Sequence, residues 1–208
     1  MKRMILATLA MLLCLTFAGA TLAEAVDPAD WYDDWYDDDG YYYDGVYFYN
    51  TFTSPQVSQA LMRVASRSGP GTNYDELGSY HETGYILTVL SRAYDDRNGI
   101  WWLQVELNYG SELRRVYTGL KRVDIDINDV QDEYPLFYAR VKSSNIPYYG
   151  PGTIYTAHKN AIAAGTEGII YGFEDGWVLF EFYNADKKQY RRAWMPIDRV
   201  EITGYVTY

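Results

Sequence analysis

One cysteine and two histidines in 208 residues leave this chain short of the side chains that most often carry metal and nucleophile chemistry. A lone Cys14 excludes an intramolecular disulfide framework and any cysteine-cluster zinc site. His81 and His158 stand far apart, each without a second histidine nearby, and are expected at the surface or in loops. An H-E-x-x-H motif is missing. Basic residues are also scarce, with 18 Lys and Arg against 28 Asp and Glu and a net charge of −10. A phosphate-neutralising surface needs a basic face, so nucleic acid is excluded as a partner. After the first 25 residues no apolar run is long enough to cross a bilayer, and no integral membrane span is expected in the mature chain. Together these shortages argue against an enzyme and against any cofactor or metal.

What the chain has in excess is aromatic surface: 23 Tyr, 7 Phe and 6 Trp make up 17% of it. Lys2 and Arg3 precede an apolar run from Met4 to Ala20, and Ala23-Glu24-Ala25 follows. A basic start, an apolar core and small residues at the end describe a secretory signal peptide, residues 1–25, with Ala20 as a second cleavage candidate. That places the mature protein in the secreted space or the cell envelope. Leu13 before Cys14 does not suit a lipoprotein signal, so the mature chain would contain no cysteine.

The charge is unevenly spread. Eight aspartates lie between Asp27 and Asp44 with no basic residue among them, whereas 19 acidic and 16 basic residues follow Gly45. The chain is therefore a nearly balanced body behind an acidic, aromatic leader, residues 26–57. Aspartate repulsion, with glycines at 40 and 45, predicts disorder there. Asp37 and Asp39 precede Gly40 as in a calcium loop, but Trp35 stands where the first ligand belongs. The leader reads as a solvated tether, or as a segment whose Trp31, Trp35 and tyrosines stack on sugar rings or dock on a partner surface.

Beyond Ser54 the sequence repeats. GPGTNY at 69–74 returns as GPGTIY at 150–155, WWLQVE at 101–106 as WVLFE at 177–181, and RRVYTGLKRVDI at 114–125 as RRAWMPIDRVEI from 191. The expected division is a first domain at 58–127, a linker at 128–136 and a second domain at 137–208. Each copy reads as short strands with turn signals and no helical period: Tyr85–Tyr94, Trp101–Leu107 and Arg114–Tyr117 in the first, Gly168–Phe173, Trp177–Tyr183 and Arg191–Trp194 in the second. The predicted fold class is all-β, as two small tandem barrels whose closure would remove exposed strand edges.

These residues, in this order, resemble the bacterial SH3 (SH3b) domain. The first copy carries Arg67, Ser68, Gly69, Pro70, Gly71, Tyr74, Gly78, Trp101 or Trp102, and Tyr117; the second keeps Gly150, Pro151, Gly152, Tyr155, Gly176, Trp177 and Trp194. It departs where Tyr148 and Tyr149 replace the Arg-Ser pair. The resemblance implies SH3-like barrels in an exported protein that binds peptidoglycan stem peptides or cross-bridges, often beside cell-wall hydrolases.

Candidate ligand-binding residues follow. The Gly-Pro-Gly runs lack the Lys-Ser/Thr of a phosphate loop and are turns. Trp102 and Trp177 read as core, and strand alternation then turns Trp101 to the opposite face as a surface aromatic. Tyr74 and Tyr155 follow the turns, where family members line a peptide groove; packing and binding both remain open for them. Tyr148, Tyr149 and Tyr155 form an aromatic rim suited to peptide or sugar. Arg115 and Arg192 sit at equivalent strand starts and either pair with nearby acids or engage carboxylates of an acidic peptide or of the leader. Glu106 and Glu181 occupy matched repeat positions, as structural strand residues would. The expected function is a non-catalytic binding module for cell-wall peptidoglycan peptide or glycan. The alternatives are an interaction module for an envelope or secreted protein working through the leader, and the targeting half of a hydrolase carried on another chain. Sequence leaves the oligomeric state open.

Overall fold

The computed structural model describes residues 40–207, the side chains of residues 79 and 80 aside. The signal-peptide segment with Cys14, and Trp31 and Trp35 of the leader, lie outside the described residues. Among the described residues no helix is long and apolar enough to cross a membrane. The first element is a hairpin of β1 (Gly40–Tyr43) and β2 (Val46–Tyr49), where the leader was expected to be disordered. Two local signals outweigh the aspartates. Asp44 and Gly45 both adopt positive φ, 53° and 79°, the two-residue turn whose twist suits a hairpin. Val46 and Phe48 alternate with Tyr47 and Tyr49, so one face is apolar and buries into the core of the second half.

The first half is a six-stranded antiparallel sheet of β3 (Gln56–Gln59), β4 (Val64–Arg67), β5 (Glu76–His81), β6 (Ile86–Asp95), β7 (Ile100–Tyr109) and β8 (Glu112–Gly119), ordered β3-β6-β7-β8-β4-β5. The second half is a five-stranded sheet of β9 (Phe137–Val141), β10 (Glu167–Glu174), β11 (Trp177–Asn184), β12 (Gln189–Pro196) and β13 (Val200–Tyr205), ordered β12-β11-β10-β9-β13. The sequence repeat is a structural one. Bulges fall at Val89/Ser91 and Ile170/Gly172, and single 3-10 turns follow β8 and β12 at Leu120–Arg122 and Ile197–Arg199. Asp175-Gly176 repeats the positive-φ turn of Asp44-Gly45 between β10 and β11.

The all-β class holds. Barrel closure is not seen among the described residues, where no ladder joins the outermost strands of either sheet. The edge of β12 is covered in another way, by main-chain bonds to Tyr148 of its own half and to Ser68 and Asn73 of the other. Each half has its own apolar core, centred on Val64, Val89, Leu103 and Val105 in the first and on Ile170, Phe173, Phe180 and Met195 in the second. A third cluster, Phe52, Leu90, Leu179 and Trp194, draws on both. The stretch 128–136 also packs. Val130 enters the first core, Glu133 N–H donates to Arg92 O at 2.9 Å, and the Gln131 side chain donates to Thr51 O at 2.6 Å. From Gly40 onward the chain is one compact unit.

Candidate functional site

The seam between the halves gathers most of the charged side chains singled out by the repeat. β8 and β12 are equivalent strands, and each receives the Gly-Pro-Gly turn of the other half. Arg192 N–H donates to Ser68 O at 3.1 Å and Tyr190 N–H to Asn73 O at 3.0 Å. In the mirrored arrangement Arg115 N–H donates to Tyr149 O at 2.7 Å and Thr156 N–H to Leu113 O at 3.2 Å. Gly69 and Gly150 make this close approach possible, since a Cβ on either would overlap the ring of Tyr74 or Tyr155. Each ring then reaches across: Tyr74 Oη donates to Glu181 Oε2, and Tyr155 Oη donates to Glu106 Oε2.

Each glutamate is shared with the arginine beside it on the hairpin. Arg192 Nε donates to Glu181 Oε2 at 2.7 Å, and its Nη1 lies 2.8 Å from Glu133 Oε2 and donates to Tyr117 Oη at 3.2 Å. Tyr117 Oη donates to Glu133 Oε1 at 2.6 Å, and the Tyr171 ring centroid stands 3.6 Å from the Arg192 guanidinium carbon. Arg115 Nε donates to Glu106 Oε2 at 2.9 Å, while its two terminal nitrogens grip both oxygens of Glu174 at 2.6 and 2.9 Å. Arg115 also lies over Trp194 and Tyr155, as Arg192 lies over Tyr117 and Tyr74. Two crossed Tyr–Glu–Arg sets therefore close the seam.

Burial dominates the electrostatics. It raises the pKa of Tyr74, Tyr117, Tyr155 and Tyr171, which stay protonated, the first three as donors to carboxylates. Burial alone would lower the arginines, but the surrounding carboxylates, Glu133 and Glu181 for Arg192 and Glu174 and Glu106 for Arg115, raise them. Glu133 is pushed upward by burial against the pull of Arg192 and Tyr117. The neighbouring arginines are engaged as well. Arg114 lies between the rings of Tyr109 and Tyr149, and Arg191 and Lys187 approach the buried Asp75 at 3.3 and 3.4 Å.

Beside the Arg192 set opens a cavity of about 390 Å³. Its walls include Tyr74, Tyr94, Tyr171, Pro70 and Pro135, with Asp95, Asp96, Arg97, Glu133 and Arg192 supplying charge of both signs. Asp95 is committed to its own turn, accepting from Arg97 N–H at 3.2 Å and from the Asn98 amide at 2.7 Å. Asp96 and Arg97 are exposed at the turn.

Of the residues expected to bind ligand, Tyr74, Tyr155, Arg115 and Arg192 meet at the seam, and of these Tyr74 and Arg192 also line the cavity. Tyr149 stacks on His158 at 3.8 Å, and Tyr148 packs edge-on against Trp177 at 5.3 Å. Trp101 lies apart from Trp102, half-buried against Tyr94 at 4.9 Å and under Arg92 at 5.0 Å. The histidines are not surface groups. His81 is buried against Tyr85 at 4.0 Å, and burial with the Arg191 cation pushes His158 down to about 3. Glu133, Tyr171 and Glu174 are absent from the sequence-derived set. Glu133 has no counterpart in the other copy and lies in a polar run that looks like a connector, so only contact across the seam reveals it. Among the described residues no group of three or more His, Cys, Asp or Glu is placed to hold a metal ion. No family model matches the chain, nor does any curated protein or any solved structure.

Proposed function

We propose that this chain is an exported, non-catalytic binding module of the SH3b type that takes a short cell-wall stem peptide in the cavity beside Arg192. The carrying observation is the make-up of that cavity: the half-exposed Tyr94 ring with Tyr74 and Tyr171 in the wall, beside the exposed Asp96 and Arg97. A peptide presenting both an ammonium and a carboxylate finds a partner for each in the neighbouring Asp96 and Arg97, with the Tyr94 ring alongside. The ordered repeat of Gly-Pro-Gly turn, tyrosine, tryptophan strand and arginine pair supports the SH3b assignment, with the two copies joined edge to edge in place of two closed barrels. The buried ion pairs of the seam hold the cavity floor in a fixed geometry, which lowers the cost of ordering the site on binding.

The test uses purified protein and insoluble peptidoglycan, with soluble stem peptide as competitor. The protein is expected to pellet, to be released by the peptide, and to lose about tenfold in affinity on Tyr94→Ala, equivalent to about 1.4 kcal/mol. Tyr94 is half exposed, so the fold does not depend on it. Absence of pelleting overturns the proposal. Loss of pelleting only on deletion of residues 26–39 moves the function to the leader.

A further inference from the structure

The hairpin Gly40–Tyr49 presents a second surface, away from the cavity. Val46 and Phe48 enter the core of the second half, so alternation turns Tyr47 and Tyr49 outward. The register Tyr42↔Tyr47 and Gly40↔Tyr49 brings Tyr42 and Gly40 onto that same outer face. Tyr42 is 69% exposed and Tyr49 64%, while Tyr47 is half-buried with its ring against Tyr49 at 4.8 Å. Gly40 is the position over which the Tyr47 ring lies, since a Cβ there would overlap it. Among the described residues of the hairpin, the outer face is thus three tyrosine rings and a glycine, with no aliphatic side chain and no charge; Asp44 sits at the turn.

The chemistry of that face selects among possible occupants. Two four-residue strands span about 13 Å by about 10 Å, a small fraction of the roughly 800 Å² that a stable protein interface needs from each partner. A lipid surface calls for long apolar side chains flanked by Lys or Arg, and the outer face of the hairpin carries neither, Val46 and Phe48 being turned into the core. A nucleic acid calls for basic residues, and its one charged side chain is Asp44. The Tyr47 and Tyr49 rings stand edge to face at 61°, so the exposed Tyr42 and Tyr49 are two separate rings. Each is edged by a hydroxyl and able to meet the C–H face and hydroxyl rim of one pyranose, over the length of a short oligosaccharide. We propose that the outward face of this hairpin is a glycan-stacking site for uncharged pyranose rings of a polysaccharide, with Tyr42 and Tyr49 as its contact residues and Tyr47, set by Gly40, as its floor. This assignment is independent of the peptide cavity.

The experiment titrates the purified protein with two peptide-free probes, a β-1,4-linked N-acetylglucosamine tetramer and a β-1,4-linked glucose tetramer, followed by calorimetry and tyrosine fluorescence. Saturable binding of at least one probe is expected. It should weaken at least about tenfold in Tyr42→Ala/Tyr49→Ala, the loss of two ring contacts, and stay within about threefold in Tyr42→Phe/Tyr49→Phe, which keeps the rings. Both side chains are exposed, so the thermal midpoint should be unchanged in either variant, and Tyr94→Ala in the cavity should leave tetramer binding intact. Failure of both tetramers to bind at millimolar concentration, or binding equal in the alanine variant, overturns the proposal and leaves the peptide cavity untouched.

Discussion

Arg192→Met is the most demanding perturbation of the seam. The Arg192 side chain is 4% exposed, its partner Glu133 is fully enclosed and Glu181 is 10% exposed. Removing one member of a buried ion pair costs about 3–5 kcal/mol, because the group left behind remains desolvated. Here two carboxylates lose their cation together, against a total stability of about 5–15 kcal/mol for a domain of ordinary size. The variant should therefore lose about a fifth or more of its stability at neutral pH. The cost should also depend on pH. Burial already raises the Glu133 pKa above 4.5, and Arg192 is the strongest influence holding it down. Without Arg192, Glu133 folds best as the neutral acid. A folded pKa raised above the unfolded one gives stability that is full below the unfolded value and is lost as pH rises toward the folded value, at about 1.4 kcal/mol per unit.

Urea denaturation at pH 5 and pH 8 measures both effects, provided the slope with denaturant stays constant. The loss on Arg192→Met should be larger at pH 8 than at pH 5. Arg192→Met/Glu133→Leu should recover part of it at pH 8 and flatten the pH dependence, since buried charges exchanged for apolar groups are often neutral. A cost under about 1 kcal/mol would be that of a surface pair and would refute the buried seam, as would equal costs at the two pH values.

Gly150→Ala should destabilise by about 1–3 kcal/mol or more through overlap with Tyr155, and Gly69→Ala should do the same through Tyr74, with melting temperature as the readout. In a double-mutant cycle Tyr155→Ala should relieve much of the Gly150→Ala cost; strict additivity would show that the ring does not lie there. His158→Phe keeps the stack on Tyr149 and removes the titration. The wild-type histidine has its pKa lowered from 6.5 to about 3, so the unfolded state binds more protons below pH 6.5 and stability falls as pH falls. Between pH 6.5 and pH 5 the variant should gain about 2 kcal/mol on the wild type in urea midpoints converted to free energy; parallel pH profiles would contradict the burial of His158.

Strand positions were legible because they depend on neighbours in the chain. Apolar runs around Val89, Val105 and Phe180, bounded by the turn residues Gly110 and Gly176, place β6 to β8 and β10 to β12 within a residue or two of where the pattern puts them. The leader shows one local signal outweighing another. Counting aspartates predicts disorder, yet Asp44-Gly45 with alternating Val46 and Phe48 forms a hairpin once a second core is there to receive it. The seam could not be read in this way. Tyr74 and Glu181 are 107 positions apart, and Tyr155 and Glu106 are 49 apart. The repeat shows that equivalent groups exist in both copies, but not that each completes its partner in the other. Gly69 and Gly150 look like turn residues and are equally the gaps that admit the rings. The crossing has a thermodynamic consequence. A sheet of about 70 residues buries too little surface to be more than marginally stable, and alone each half would leave a Glu–Arg pair without its tyrosine and β12 or β8 without the main chain that covers it. The second copy supplies both, and the stretch between the copies adds Glu133, whose carboxylate is enclosed at the seam 2.8 Å from Arg192.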